Sequence, residues 1–343
     1  MNFVELQKSD GESIKVRFRE FEMSDSESIV NCIRNEYGDS YRKRKMYDPN
    51  YIVEQVKNQN MHFYIAELEN REVIGCLALA KAYPTDIALG IATGIVLEPY
   101  RQFGVFWNLT KFIATDIRKI KNISAVYCHS MLYHKITQHV MEKIGLKPTG
   151  FIFSIILAQT FQHSYSKDQN LKISLGTATR KISKNDVGTL YIPEMLVEFA
   201  QDIYHKLHTH FEISTSIEKL SGVSEIEFLN DPRQQNCTIR IHSAGSDLKS
   251  KIQSIQSEFQ DEFQTFNIFL NISDSRAIAA YEILEDLGYF CSGFNPLCSD
   301  KEIMILHNPR NIEINFDELK LTEQFGELRA KVRKFYESRK EMQ

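Results

Sequence analysis

The sequence has no C-x-x-C pair, no H-E-x-x-H, no Walker-type glycine loop and no cluster of cysteine with histidine. Metal chemistry and nucleoside triphosphate chemistry therefore find no signature here, and no metal is expected. No apolar run approaches the ~18 residues that a membrane span needs. Residues 1–15 are polar and carry acids, so the chain is expected to be soluble and unexported, with no membrane partner. The six cysteines, Cys32, Cys76, Cys128, Cys237, Cys291 and Cys298, are scattered through a chain of 343 residues, too large to need disulfides. They read as reduced thiols in a cytoplasm. An excess of basic charge is also missing: the formal net charge is −4, and no overall cationic footprint argues for nucleic acid. What remains is an ordinary globular composition, 43% apolar and 25% charged, over a length that suits two domains.

The informative stretch runs from Gly94 to Phe106 and into the residues behind it. Residues 87–97 are apolar and read as a strand, which Pro99 stops because proline cannot donate to a sheet ladder. Past Gly104 the period becomes helical. Val105/Phe106, Leu109, Phe112/Ile113, Ile117 and Ile120 recur every three to four residues, while Asn108, Lys111, Thr115, Arg118 and Lys119 take the other face. A helix entered in this way has unpaired N–H groups and partial positive charge at its start, which suits phosphate. No Asp, Asn, Ser or Thr between 101 and 106 caps the turn, so its amides await an outside acceptor.

Around this stretch, residues 15–21 alternate as a strand, and Ser24-Asp25-Ser26-Glu27 opens a helix as a capping box. Residues 36–50 read as a loop holding Tyr37, Tyr41 and the basic run Arg42-Lys43-Arg44-Lys45; its tyrosines either pack the loop down or meet a substrate. A short helix from 49 to 58 follows, then a hairpin of 61–68 with 72–82. Residues 124–130 form a strand reached by crossover and so parallel to 87–97; a helix over 134–144 and a strand ending at 157 complete this half. The polar run 159–170 is taken as a domain boundary. Beyond it the chain partly repeats itself: Leu284-Glu285-Asp286-Leu287-Gly288, with Gly293-Phe294, echoes Met141-Glu142-Lys143-Ile144-Gly145, with Gly150-Phe151. In the second half, Ala244-Gly245-Ser246-Asp247 stands where the first has its open loop, and Ser246 or Asp247 can cap its own helix. The amphipathic helix over 316–343 would serve to dock on the fold or to form a homodimer.

The order of elements over 15–157, with Arg101-x-x-Gly104-x-Phe106 following Val96-Leu97-Glu98-Pro99-Tyr100, resembles the GNAT superfamily of N-acetyltransferases. That family's pyrophosphate loop reads Arg/Gln-x-x-Gly-x-Gly/Ala, and Phe106 departs from it. The resemblance implies an α/β fold of the mixed-sheet α+β kind, with two acyl-CoA N-acyltransferase-like domains in tandem. Residues 1–160 would bind acyl-CoA, and 171–343 would be a degenerate copy. Acetyl-CoA, or another acyl-CoA, would lie with its pyrophosphate on Arg101, Gln102, Phe103, Gly104, Val105 and Phe106 and its acyl arm along Ile95 and Val96. A small amine would meet Tyr37, Tyr41 and Tyr64. The family's usual helix-start Asn and later Tyr acid fall, by counting, on His134 and Met141. Methionine cannot donate a proton, so the resemblance leaves Tyr133 or His134 to serve the departing thiolate, His134 also holding the arm. For the base, Glu98, His62, Tyr64 and His129 are available at no spacing that decides between them. The implied activity is transfer of acetyl to a primary amine by direct attack on the thioester. The rival is a non-catalytic acyl-CoA-binding or interaction protein, which the departures at Phe106 and Met141 would suit.

Overall fold

The computed structural model describes residues 3–82, 86–160, 171–183, 186–297, 301–310 and 312–342. In chain order the first half contains β1 (Val4–Gln7), β2 (Ser13–Glu20), α1 (Ser26–Tyr37), α2 (Pro49–Lys57), β3 (Met61–Leu68), β4 (Val73–Ala80) and β5 (Ala88–Val96). Then come α3 (Val105–Asp116), β6 (Ala125–Met131), α4 (Ile136–Lys143), β7 (Lys147–Leu157) and β8 (Lys172–Lys181). The rest adds β9 (Thr189–Tyr191), α5 (Val197–Lys206), β10 (Glu212–Ser214), β11 (Glu225–Asp231), β12 (Asn236–Ser243) and α6 (Leu248–Glu258). It ends with β13 (Thr265–Asn271), α7 (Ala277–Asp286), β14 (Phe290–Asn295), β15 (Ile303–Asn308) and α8 (Glu323–Met342).

Thirteen of these strands form one mixed sheet in the order β1-β2-β3-β4-β5-β6-β8-β7-β14-β15-β13-β12-β11. The expected parallel step is present, Ala88 to Ile91 pairing with Ala125 to Cys128. The boundary expected at 159–170 falls between strands that belong together, because β8 lies antiparallel between β6 and β7. Residues 161–170 themselves lie outside the described residues. In the second half β12 and β13 are parallel, α6 connects them, and the last strand, β15, inserts between β13 and β14. The halves join where β7 and β14 pair at Gly150 and Gly293, the two glycines that the sequence comparison aligned. A Cβ on Gly293 would stand 2.2 Å from the Gly150 Cα, so the join needs glycine on both sides.

Burial follows the sheet's two faces. Tyr64, Leu77, Leu89 and Val126 pack with Leu109, Ile113 and Ile117 of the α3 segment, while Phe63, Ile65, Cys76 and Ile95 pack with Ile29 and Ile33 of α1. The capping box expected at Ser24–Glu27 is displaced: Asp25 Oδ2 accepts from the Glu22 amide at 2.7 Å across a short helical turn over Met23–Asp25, and α1 begins at Ser26. Helix α8 spends its apolar stripe on the chain's own sheet, Phe325 reaching Phe151 with ring centroids 5.9 Å apart, which makes it a docking helix. The five described cysteines are buried and unbridged; Cys298 lies outside the described residues. No helix among the described residues is long and apolar enough to cross a membrane.

Candidate active site

The strands β5 and β6 pair only as far as Ile91 and Cys128, after which the β6-facing edge of β5, from Ala92 to Val96, is left out of the ladder. What parts them is a bulge. Ala92 pairs with Ala78 and Ile95 with Cys76, so Leu77 alone opposes Thr93 and Gly94. Thr93 carries φ of 50°, a conformation that a β-branched residue adopts only when its surroundings enforce it. Here its carbonyl accepts from Cys76 Sγ at 3.6 Å and its Oγ1 meets the Tyr41 hydroxyl at 3.1 Å. The splay opens a cleft of about 720 Å³.

At the near end of the cleft is the loop into α3. Gln102 and Gly104 have φ of 73° and 76°, and no side chain caps the helix. The backbone amides of residues 102–107 donate to no acceptor among the described residues; the ladder of α3 begins with Asn108 N to Gly104 O at 3.0 Å. The amides are thus as open as the sequence requires, and the helix start adds favourable potential for an anion. The Arg101 side chain is committed elsewhere: Nε donates to Val96 O at 3.0 Å, and the guanidinium pairs with Glu36 of α1. It ties the loop to β5 and α1 while still lining the cleft. Phe106, the departure from the resembled motif, lies against Gly94, where a Cβ would stand 2.9 Å from its ring. Gly94 gives the ring room on the cleft wall, and the loop amides stay uncovered.

Of the residues singled out in the sequence, Ile95, Val96, Arg101, Gln102, Gly104, Val105, Phe106, Tyr37, Tyr133 and His134 line this cleft. Tyr41 joins it indirectly, through Thr93. Four are placed elsewhere, among them His62, which lies on β3 on the same strand face as Tyr64. Glu98 is exposed in the turn after β5. The Phe103 side chain is buried on the α3 face, and Tyr64 is buried there too, donating to Asp116 Oδ2 at 2.9 Å. Tyr64 is on the wrong face because residues of one parity along β3 pack under α3 and those of the other under α1. Met141 does line the cleft, at the position the count assigned to an acid.

Among the four candidate bases, His129 alone lines the cleft. It lies beside Tyr127 on β6, with ring centroids 5.3 Å apart, and its buried Nδ1 has no partner among the described residues. Burial, reinforced by Lys43 and Arg42, pushes its pKa down to about 4, so the ring is neutral at neutral pH and able to accept a proton. His134 packs edge-on against Tyr133 at 4.5 Å and is likewise held below the usual histidine value by burial. Sequence reasoning passed over Thr93, Trp107, Thr137 and Val140, which also line the cleft. The bulge at Thr93 leaves no mark in residue type, whereas Trp107, the one tryptophan, follows the loop directly. In the second half the corresponding loop is closed, but not as expected. Asp247 makes no cap of its own helix; its Oδ1 accepts from Ser224 N at 2.7 Å. Residues 222–224 lie on the loop instead, Ser246 N donating to Gly222 O and Gly245 N to Ser224 Oγ.

No protein-family profile and no curated protein matches the sequence. Solved structures do show likenesses. Spermidine/spermine N-acetyltransferase SpeG from Vibrio cholerae, in mutant form, is 13% identical with a TM-score of 0.36, over 49% of this chain and 96% of that one. A ribosomal-protein-S5-alanine acetyltransferase from Vibrio fischeri is 12% identical with a TM-score of 0.38, over 53% of this chain and 98% of that one. Protein smu.2055 from Streptococcus mutans UA159 is 13% identical with a TM-score of 0.37, over 49% and 99%. Such values carry neither activity nor substrate to this chain, so a function must be argued from the cleft.

Proposed function

We propose that the chain is an acyl-CoA-dependent N-acyltransferase, most simply one that transfers acetyl from acetyl-CoA to the primary amine of a small molecule. The observation that carries this reading is the run of open amides at 102–107, set at one end of a cleft whose wall is an unpaired strand edge. A pyrophosphate would meet the amides and the start of α3. An extended amide-bearing arm would run along Ala92 to Val96, where backbone donors and acceptors are left for it. Bound there, acetyl-CoA supplies an activated thioester. His129 stands on the face of β6 that looks toward α1 and takes the proton that the amine nitrogen sheds as the C–N bond forms. Coenzyme A leaves as its thiolate, beside Tyr133.

In this reading residues 3–181 form the active unit, and the second half is a degenerate copy of the same fold whose loop is occupied by residues 222–224. The end at 181 replaces the expected end at 160, because this reading counts β8, paired with both β6 and β7, as part of the unit. A cytoplasmic location suits reduced thiols and a diffusible coenzyme.

His134 is assigned to hold the arm rather than to act as an acid, because burial keeps its ring neutral. His134→Asn, which keeps a hydrogen-bonding side chain, should stay within about threefold of the parent in kcat, while His134→Ala should raise KM for acetyl-CoA; a ~10²-fold fall in kcat for Asn would reassign it as an acid. The activity itself is tested by thiol release from acetyl-CoA over a panel of amines. Tight binding without release would favour the non-catalytic rival.

A further inference from the structure

Past His129 the cleft wall turns apolar. Met131 stands two residues further along β6, on the same side of the strand, and opposite it on β8 is Leu175. Tyr37, from the last turn of α1, and Tyr133, just after β6, come to the same place: with Met131 they line the cleft, each half-buried, and all three pack on Ala158 and Ile173. Ile156 of β7, paired with Ile173, joins them. The end of α1 is fixed there, because Ser40 Oγ donates to the Tyr37 carbonyl at 2.6 Å and also contacts the Thr160 carbonyl after β7. The Tyr37 ring packs on Tyr41 with centroids 4.7 Å apart, and Tyr41 in turn reaches Thr93 on the bulge of β5.

Open charge is missing from this wall. Of the residues that line the cleft only Glu36 and Arg101 carry full charges, and they pair with each other; His129 and His134 are kept neutral by burial. Next in the chain to Tyr41 and Ile173, Arg42 is committed to Asp231 at 2.7 Å and Lys172 donates to Gln235 O at 2.7 Å. A second ammonium on an acceptor would find no open carboxylate among the lining residues, and a carboxylate would find no open cation. A charge taken out of water without a partner is costly. A flat apolar group, in contrast, is favoured by its burial and by the tyrosine rings and thioether around it.

Building on the acetyltransferase reading above, we propose that the acceptor is a primary amine joined by a short alkyl link to an uncharged aromatic ring. The ring lies among Tyr37, Met131 and Tyr133, and the link places the nitrogen against His129. As the C–N bond forms and the thioester C–S bond breaks, His129 takes the proton of the nitrogen and coenzyme A leaves as its thiolate. Met131 touches the ring and not the reacting atoms, so it sets specificity.

The test uses the intact chain, acetyl-CoA and matched amines: phenethylamine; phenylalanine, which adds a carboxylate; ethylamine, which lacks the ring; and spermidine, which adds ammonium groups. In kcat/KM, phenethylamine should exceed each of the others by ~10-fold or more, as loss of the ring's burial or an unpaired charge predicts. Met131→Gln, close in volume but polar, should raise KM for phenethylamine by ~5-fold or more with KM for acetyl-CoA unchanged, and Met131→Leu should restore it. Tyr37→Ser carries the same prediction from the other side of the wall, should Met131→Gln fail to fold by thermal melt. Equal or better use of phenylalanine, ethylamine or spermidine, or indifference of the folded variants, would overturn the inference and leave the acetyltransferase reading standing. Acetyl-CoA bound with no amine acetylated, or not bound at all, would remove that reading and this inference with it.

Discussion

Gly104→Glu should raise Kd for acetyl-CoA by ~10²-fold or more while the protein remains folded. A new Cβ would meet only Asn108 Nδ2, at 3.8 Å, so the site has room for a side chain. The backbone is the constraint: at φ of 76° a residue other than glycine costs about 1–2 kcal/mol, which lowers stability without unfolding a sheet of this size. The glutamate would carry a negative charge to the open amides, where it competes with the pyrophosphate and repels it. Calorimetric titration gives Kd, and circular dichroism with a thermal melt reports the fold. Unchanged affinity in a folded variant would mean that the loop is only a turn between β5 and α3.

His129→Ala should lower kcat by ~10²- to 10⁴-fold, the usual range for a lost general base, with Kd for acetyl-CoA unchanged. The pH dependence separates this role from a packing role. The neutral imidazole is the active form, and its pKa is pushed down to about 4. Below the limb set by the amine's own protonation, the parent enzyme should show no further fall until pH drops through about 4, well below the ordinary histidine range near 6.5. That low-pH limb should vanish in the alanine variant. A limb near 6.5, or a low-pH limb that persists without His129, would assign the proton to another group.

Much of this cleft was legible because its signals are local. The strand ending before Pro99, the change of period after Gly104 and the lack of capping residues all lie within about twenty residues, and the structure places β5, the loop and α3 there. The crossover to β6 and its parallel pairing followed from connectivity alone. What escaped was non-local. Strand β8 comes after a polar run that resembles a linker, and only its pairing with β6 and β7 reveals where it belongs. The seal on the second loop comes from residues more than twenty positions earlier, so Ser246 and Asp247 pointed to the right outcome for the wrong reason. Glu98 and Tyr64 were plausible in type but not in place, since the turn carries one outward and strand parity buries the other. His129 had no distinguishing spacing at all; its case rests on its place in the cleft wall beside Tyr127 and on its buried Nδ1 without a partner among the described residues.

The most direct measurement is turnover by the intact chain: acetyl-CoA is mixed with the amine panel, free thiol is followed as it appears, and the acetylated amine is identified by mass. The account predicts thiol release that depends on the amine, one acetylated amine per thiol, abolished by Gly104→Glu and strongly reduced by His129→Ala. Binding of acetyl-CoA without amine-dependent release, or no binding to the intact chain, would contradict it.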